Sequence, residues 1–149
     1  MFGETKEQND LFYTCSLIEY ITRKTKNKKK DVIDKLGENK IKKIYELAEV
    51  YHSDNIEKVA DDFINECNIS IGKYNYIDAC QYRIPSYYEI GKVYQRLIIM
   101  VNSDSIKYVD TLLEVLNSWI IEKIDNYNSS MYYENPDYIY QCYIEGRVL

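Results

Sequence analysis

The sequence has few residues of the types that interrupt helices, and few of the types that form common active sites. Its 149 residues include two prolines, five glycines and a single histidine. Because proline and glycine break helices most strongly, their scarcity favours long helical segments. One histidine cannot supply a histidine-rich metal site. We interpret His52 as a capping or hydrogen-bonding residue at the end of a helix.

Sequence motifs for catalysis are also absent. The chain has no phosphate-binding loop, no glycine-rich dinucleotide fingerprint and no nucleophile elbow. Its four cysteines form no CxxC pair, and we expect Cys15 and Cys67 to be reduced, buried thiols on apolar helix faces. The acidic pairs Asp61–Asp62 and Asp110/Glu114 are typical of solvated helix faces. The sequence therefore predicts a protein that is not an enzyme and that holds no metal or cofactor.

The bulk properties predict a single cytoplasmic domain. No apolar run approaches the roughly 20 residues needed to span a bilayer, and the first ten residues do not resemble a secretory signal. The formal net charge is −5, with +2 over residues 1–50 and −7 over residues 51–149. This acidic balance argues against nucleic acid as the main partner, because phosphate binding depends on lysine and arginine.

Apolar residues at spacings of three and four predict an all-α bundle of about six helices. We expect Gly37 to end the second helix, Pro85 to open the fifth and Trp119 to anchor the core. Residues 68–84 lack helical spacing and are predicted to be a connector. The predicted helices cover residues 7–25, 31–36, 38–51, 56–67, 85–101 and 104–126.

The chain divides into a helical bundle over residues 1–126 and a C-terminal extension over residues 127–149. A short helix is predicted near residues 137–146. Two interpretations of the extension are open, since it can pack on its own bundle or bind a partner. Tyrosine gives rigid, amphipathic contact area and is common in binding hot spots. The candidate partner-binding residues are Tyr127, Tyr132, Tyr133, Pro136, Tyr138, Tyr140, Tyr143 and Arg147.

A basic run follows the first predicted helix and is the feature most able to bind an anionic surface. No aromatic residue interleaves with it, which weakens a role in binding single strands. The alternative is a helix end followed by a solvated loop. The candidate contacts in this run are Arg23, Lys24, Lys26, Lys28, Lys29 and Lys30.

Residues 10–69 resemble a family of small helical bacterial proteins of uncharacterised function. The resemblance lies in the segments 18–20, 32–36, 44–45, 50–52 and 56–64. Members of that family are encoded beside a partner with an ADP-ribosyltransferase-like fold, in an arrangement like a toxin–antitoxin pair. The resemblance implies that the helical protein neutralises its neighbour, and it implies no catalytic residues.

The leading hypothesis from the sequence is therefore a non-enzymatic, antitoxin-like inhibitor that binds the protein encoded next to it. One alternative is a regulator that binds nucleic acid through residues 23–30. Another is a homo-oligomeric structural protein whose extension is exchanged between copies. No membrane partner is expected.

Overall fold

The computed structural model describes residues 3–149, and this part of the chain is all-α, as the sequence predicts. Helices pack as a bundle, and no strand occurs among the described residues. Two 3₁₀ turns, Ser105–Lys107 and Met131–Tyr133, join helical segments. The α-helices are α1 (Lys6–Thr25), α2 (Lys29–Glu46), α3 (Ala48–His52), α4 (Ile56–Glu66), α5 (Tyr87–Val101), α6 (Tyr108–Leu116), α7 (Ile120–Asp125) and α8 (Pro136–Glu145).

Helix α1 is the centre of the bundle and packs most extensively against α5. It is buried on most of its circumference, so its polar residues need local partners. The buried hydroxyls of Thr14, Thr22 and Thr25 each donate to the carbonyl four residues earlier, at 2.6–2.8 Å. These bonds let a helix of modest hydrophobicity occupy the core.

Capping boxes fix where two of the helices begin. Thr5 and Gln8 form a capping box at the start of α1, and Ser86 and Glu89 form another at the start of α5. Our prediction that Pro85 is the first residue of α5 is therefore wrong. Pro85 precedes the N-cap, because the Ser86 hydroxyl accepts the backbone N–H of Glu89 at 3.1 Å.

Helix α2 is longer than predicted and is kinked. It begins at Lys29, and Gly37 has φ 78° inside it, so the predicted interruption at this glycine is confirmed. The predicted helix over 38–51 is not continuous. Leu47 has non-helical dihedral angles and separates α2 from the short α3.

The predicted helix over 104–126 is instead a 3₁₀ turn followed by α6 and α7. Asn117 and Ser118 end α6, because their side chains bond to the carbonyls of Leu113 and Val115 at 2.8 and 2.6 Å. The helical register is lost there, so Trp119 leaves the apolar stripe. Trp119 is 36% exposed, and our prediction that it anchors the core is wrong.

The connector over residues 68–84 contains no helix, as predicted, but it is not loose. The backbone N–H groups of Gly72 and Tyr74 bond to the carbonyls of Thr25 and Lys26 at 2.7 and 2.9 Å. These bonds hold the connector against the end of α1. As a result, the side chain of Tyr76 enters the core.

Candidate functional site

The C-terminal extension packs on the bundle. Its residues Tyr127, Met131, Ile139 and Cys142 are buried in the same hydrophobic core as α1 and α5. Helix α8 contacts α5 directly. The extension is thus held to the bundle by its own apolar side chains.

The candidate partner-binding residues occupy different environments. Tyr127 is 3% exposed and its hydroxyl bonds to buried groups, so it cannot contact a partner, and that assignment is corrected. Tyr133 is 67% exposed, and Arg147 is also exposed. Five of the candidates are half-buried along the seam between the extension and the bundle: Tyr132, Pro136, Tyr138, Tyr140 and Tyr143.

A cleft of about 250 Å³ separates α5 from the extension, and we call it the extension cleft. Arg96 and Val93 of α5 line one side, and Tyr132, Tyr133 and Pro136 line the other. This arrangement combines aromatic surface with a guanidinium, which are the groups that dominate protein-binding hot spots. Three of the eight candidates thus lie together.

The end of the chain adds exposed apolar side chains. Gly146 ends α8 in the left-handed region with φ 74°. The chain then folds back, and the Tyr138 hydroxyl donates to the carbonyl oxygen of Leu149 at 2.6 Å. Ile144, Val148 and Leu149 are each about half exposed. We call residues 133–149, where they face solvent, the extension face.

The basic run is not a continuous exposed surface. Lys29 is 2% exposed and contacts the buried Glu19, so its assignment as an anionic-surface contact is wrong. It is buried because it begins α2 on the same face as Val32, Ile33 and Leu36, at spacings of three, four and seven.

Other cations of the run contact carboxylates of the same chain. Arg23 Nε lies 2.7 Å from Glu19, and Lys24 Nζ lies 2.7 Å from Asp61. Lys28 Nζ lies 3.4 Å from a carboxylate oxygen of Glu122. Lys26 and Lys30 are exposed. Much of the positive charge is therefore balanced within the fold, which leaves less of it for nucleic acid phosphates.

Lys29 belongs to a buried charge cluster that the sequence reasoning missed. Its ammonium group contacts Oε1 of Glu19 and lies 3.3 Å from Oδ1 of Asp125. Glu19 is fully buried and Asp125 is 3% exposed. Two buried carboxylates therefore share one ammonium, and the Arg23 guanidinium balances the second negative charge.

Three tyrosines complete the hydrogen bonding of this cluster. The hydroxyls of Tyr76 and Tyr127 donate to Oε2 of Glu19 at 2.7 and 3.0 Å. The Tyr94 hydroxyl donates to Oδ1 of Asp125 and accepts from Lys29 at 3.2 Å. Each carboxylate is thus satisfied, which offsets much of the cost of burying charge.

The two carboxylates differ in their acidity. Burial alone would raise the pKa of Glu19, but the neighbouring Lys29 and Arg23 hold it below its ordinary value. Burial and the nearby charge of Glu19 raise the pKa of Asp125 to about 6, against the opposing effect of Lys29. Burial and the adjacent carboxylates also raise the pKa of Tyr94 well above its ordinary value. The cluster joins α1, α2, α5 and α7, and its geometry is that of a structural network.

Residues suited to metal binding or redox chemistry are not gathered in one place. No group of three or more metal-ligating side chains occurs within residues 3–149. All four cysteines are free in this part of the chain; Cys15 is buried as expected, whereas Cys67 is only partly buried. His52 ends α3, and its ring meets the ring of Tyr13 edge-on at 5.6 Å between centroids.

The remaining observations concern membrane-spanning helices and similarity to known proteins. No helix within the described residues is both long and apolar enough to cross a membrane. Comparison with protein-family models, with curated proteins and with solved structures found no match. The resemblance over residues 10–69 therefore stays a prediction from the sequence.

Proposed function

We propose that this chain is a non-enzymatic protein-binding module that inhibits an ADP-ribosyltransferase-like protein encoded beside it. The observation that carries the proposal is the exposure of Tyr133 and Ile144, at 67% and 55%, on an extension that Met131, Ile139 and Cys142 hold in the core. Large apolar side chains presented on a rigid support can bind with little loss of conformational entropy.

The extension cleft supplies an anchoring site for such a partner. A side chain inserted there contacts the rings of Tyr132 and Tyr133 and the guanidinium of Arg96. Tyrosine and arginine carry most of the energy in typical hot spots. The half-buried tyrosines along the seam then act as support for the exposed ones.

The charge distribution supports the choice of partner surface. Residues 51–149 carry a net charge of −7. A cleft that binds a dinucleotide presents cations or backbone N–H groups to phosphates. An acidic protein that covers such a cleft competes for the same groups, and electrostatic complementarity accelerates its association.

The test uses the full chain with single substitutions. A truncation at residue 126 would also remove Tyr127, Ile139 and Cys142 from the core, so it would report on folding as well as binding. Tyr133→Ala and Ile144→Asp leave the core intact. Tyr82→Ala is the matched control, because Tyr82 is 68% exposed and lies in the connector.

Affinity for the purified neighbouring protein is measured by calorimetry, together with that protein's ADP-ribosyltransferase activity. We expect Tyr133→Ala to weaken binding by about 30-fold, corresponding to about 2 kcal/mol at a hot spot, and to relieve inhibition. Tyr82→Ala should bind like the parent. Failure of the parent chain to bind or inhibit would refute the proposal, and a self-associated chain in light scattering would favour the homo-oligomer instead.

A further inference from the structure

A second cleft has the features of a built ligand site, and it lies beside the first half of α1, whereas Glu19 and Arg23 of the charge cluster lie in the second half of that helix. It has a volume of about 480 Å³ and lies between the first half of α1, α3 and the start of α5. Its walls include Phe12, Tyr13, Ser16 and His52, and we call it the Tyr13 cleft. The volume is in the range of small-molecule sites. None of its residues belongs to the extension.

Two buried hydroxyls at this cleft have no hydrogen-bond partner among the described residues. They are Oη of Tyr13 and Oγ of Ser16, in side chains 8% and 1% exposed. Buried polar atoms are nearly always bonded, and leaving one without a partner costs stability. Burial also raises the pKa of Tyr13 to about 12, so its hydroxyl keeps its proton. The hydroxyl of Tyr13 is therefore able to accept from, or donate to, a bound polar group.

The walls of the cleft are aromatic. The rings of Tyr13 and His52 meet edge-on at 5.6 Å, and those of Phe12 and Tyr88 lie 6.4 Å apart. The ammonium of Lys92 lies 4.3 Å from the Phe12 ring centroid, so this ring already takes part in one cation–π contact. Aromatic faces favour a flat or cationic group between them.

The charge around the cleft selects against anions. Asp10, Glu49 and Asp54 line it, Lys6 lies beside the first two, and Lys58 Nζ lies 3.3 Å from Asp54. Lys6 Nζ lies 2.6 Å from Asp10 and 3.9 Å from Glu49. The backbone N–H of Asn55 and then the neighbouring Lys58 lower the pKa of Asp54, so its carboxylate stays ionised at neutral pH. The three carboxylates outnumber Lys6 and Lys58, so the charge at the cleft is net negative even with both cations in place.

We propose that the Tyr13 cleft binds an organic cation, an amidinium or guanidinium group attached to a flat or short apolar body. The cation faces Glu49 and Asp54, and the apolar body lies along the rings of Phe12 and His52. A planar amidinium donates several N–H groups, and one of them reaches the hydroxyl of Tyr13. One ligand class thus uses the carboxylates, the aromatic walls and the hydroxyl of Tyr13.

The primary test is a titration of the full chain with benzamidinium at 150 mM salt, followed by amide chemical shifts. Its neutral isostere benzamide is the ligand control. We expect shifts confined to α1, α3 and the start of α5, and at least tenfold weaker binding of benzamide. Equal affinity for the two ligands, or the absence of any shift, would overturn the proposal.

Substitutions then locate the site. Tyr13→Phe keeps the ring and removes the hydroxyl, and we expect it to weaken benzamidinium binding at least fivefold. Its melting temperature should equal or exceed that of the parent, because the lost hydroxyl has no internal partner. Tyr140→Phe removes a half-buried hydroxyl on α8 and should bind like the parent. A Tyr13→Phe chain that binds as tightly as the parent would contradict the proposed contact.

Two more probes separate the sources of the cation. Agmatine represents a free small guanidine, and N-acetylarginine amide represents an arginine side chain presented by another protein. Preference for agmatine assigns the cleft to a free metabolite, and preference for the blocked arginine assigns it to a basic side chain. Binding of neither, with benzamidinium also inactive, would refute the cation site. None of these results depends on whether the extension binds a partner.

Discussion

Replacing Lys29 with methionine removes the ammonium group that contacts both Glu19 and Asp125. Methionine fills a similar volume without charge, so packing changes little. Glu19 keeps Arg23, but Asp125 keeps only the hydroxyl of Tyr94 as a hydrogen-bond donor in the cluster. Breaking a buried ion pair from one side costs about 3–5 kcal/mol of unfolding free energy at neutral pH, because Asp125 must either stay charged without its cation or take up a proton.

The loss of unfolding free energy should grow as the pH rises. The pKa of Asp125 in the folded parent is about 6, and removal of the cation raises it further. Above pH 6, Asp125 of the folded variant therefore stays protonated. In the folded parent and in the unfolded chains the same carboxyl has released its proton. Its unfolding free energy therefore falls relative to the parent by about 1.4 kcal/mol per pH unit. From pH 6 to pH 7.5 this amounts to about 2 kcal/mol.

The assay is urea unfolding followed by far-UV circular dichroism at pH 5.5, 6.5 and 7.5. Lys30→Met is the matched control, because Lys30 is the exposed neighbour, and it should change stability by less than about 0.5 kcal/mol. The double variant Lys29→Met/Asp125→Asn should lose the pH dependence. A loss that is equal at all three pH values, or no larger than that of Lys30→Met, would refute this account of the cluster.

Three substitutions test the backbone and the packing by the same unfolding assay. Gly91→Ala should lower the unfolding free energy by about 1–3 kcal/mol, because an added Cβ meets the Ser16 hydroxyl and lies 3.0 Å from the Ser16 backbone. An unchanged unfolding free energy would show that α1 and α5 can separate. Ser86→Ala should cost about 1 kcal/mol by removing half of the capping box with Glu89, and an unchanged midpoint would contradict that role. Gly37→Ala should lower the unfolding free energy by about 1 kcal/mol through backbone strain at φ 78°. Open space surrounds the added methyl group, so no clash adds to this cost. A stabilised variant would contradict the positive φ.

The helical class was predictable because the apolar residues repeat along the chain at helical spacing. Ile90, Tyr94, Leu97 and Ile98 of α5 are all buried, as their periodicity indicates. Such patterns report which face of a helix is apolar. They do not report where a helix is interrupted, so the prediction of one helix over 104–126 missed the break at residues 117–118.

That interruption depends on bonds that the periodicity cannot express. Asn117 and Ser118 could have been recognised as residues that compete for backbone carbonyls, but the apolar stripe appeared to continue through them. Trp119 was placed in the core for the same reason. Its partial exposure follows from a local change of register rather than from its own hydrophobicity.

The charge cluster was only partly readable from the sequence. Lys29 shares a face with Val32, Ile33 and Leu36, which is a signal for a buried lysine that needs an acidic partner. The partners themselves are distant in sequence. Tyr76 comes from the connector, and Tyr127 is 108 positions after the Glu19 to which it donates. Only the folded chain brings them together.

The candidate partner surface was also only partly predictable from the sequence. Tyrosine enrichment pointed to the extension, but it could not separate Tyr127, which lies in the core, from Tyr133, which lies on the surface. The difference follows from packing, since Met131 and Ile139 fix the extension against the bundle and leave Tyr133 outside. Residue type alone carries no such information.

The most direct test of the proposed function is hydrogen–deuterium exchange of the full chain, alone and in complex with the neighbouring ADP-ribosyltransferase-like protein. If the extension face is the interface, amides within residues 133–149 should exchange at least tenfold more slowly in the complex, while those of α2 keep their rates. Unchanged exchange over residues 133–149, with protection confined to another surface, would contradict the central claim.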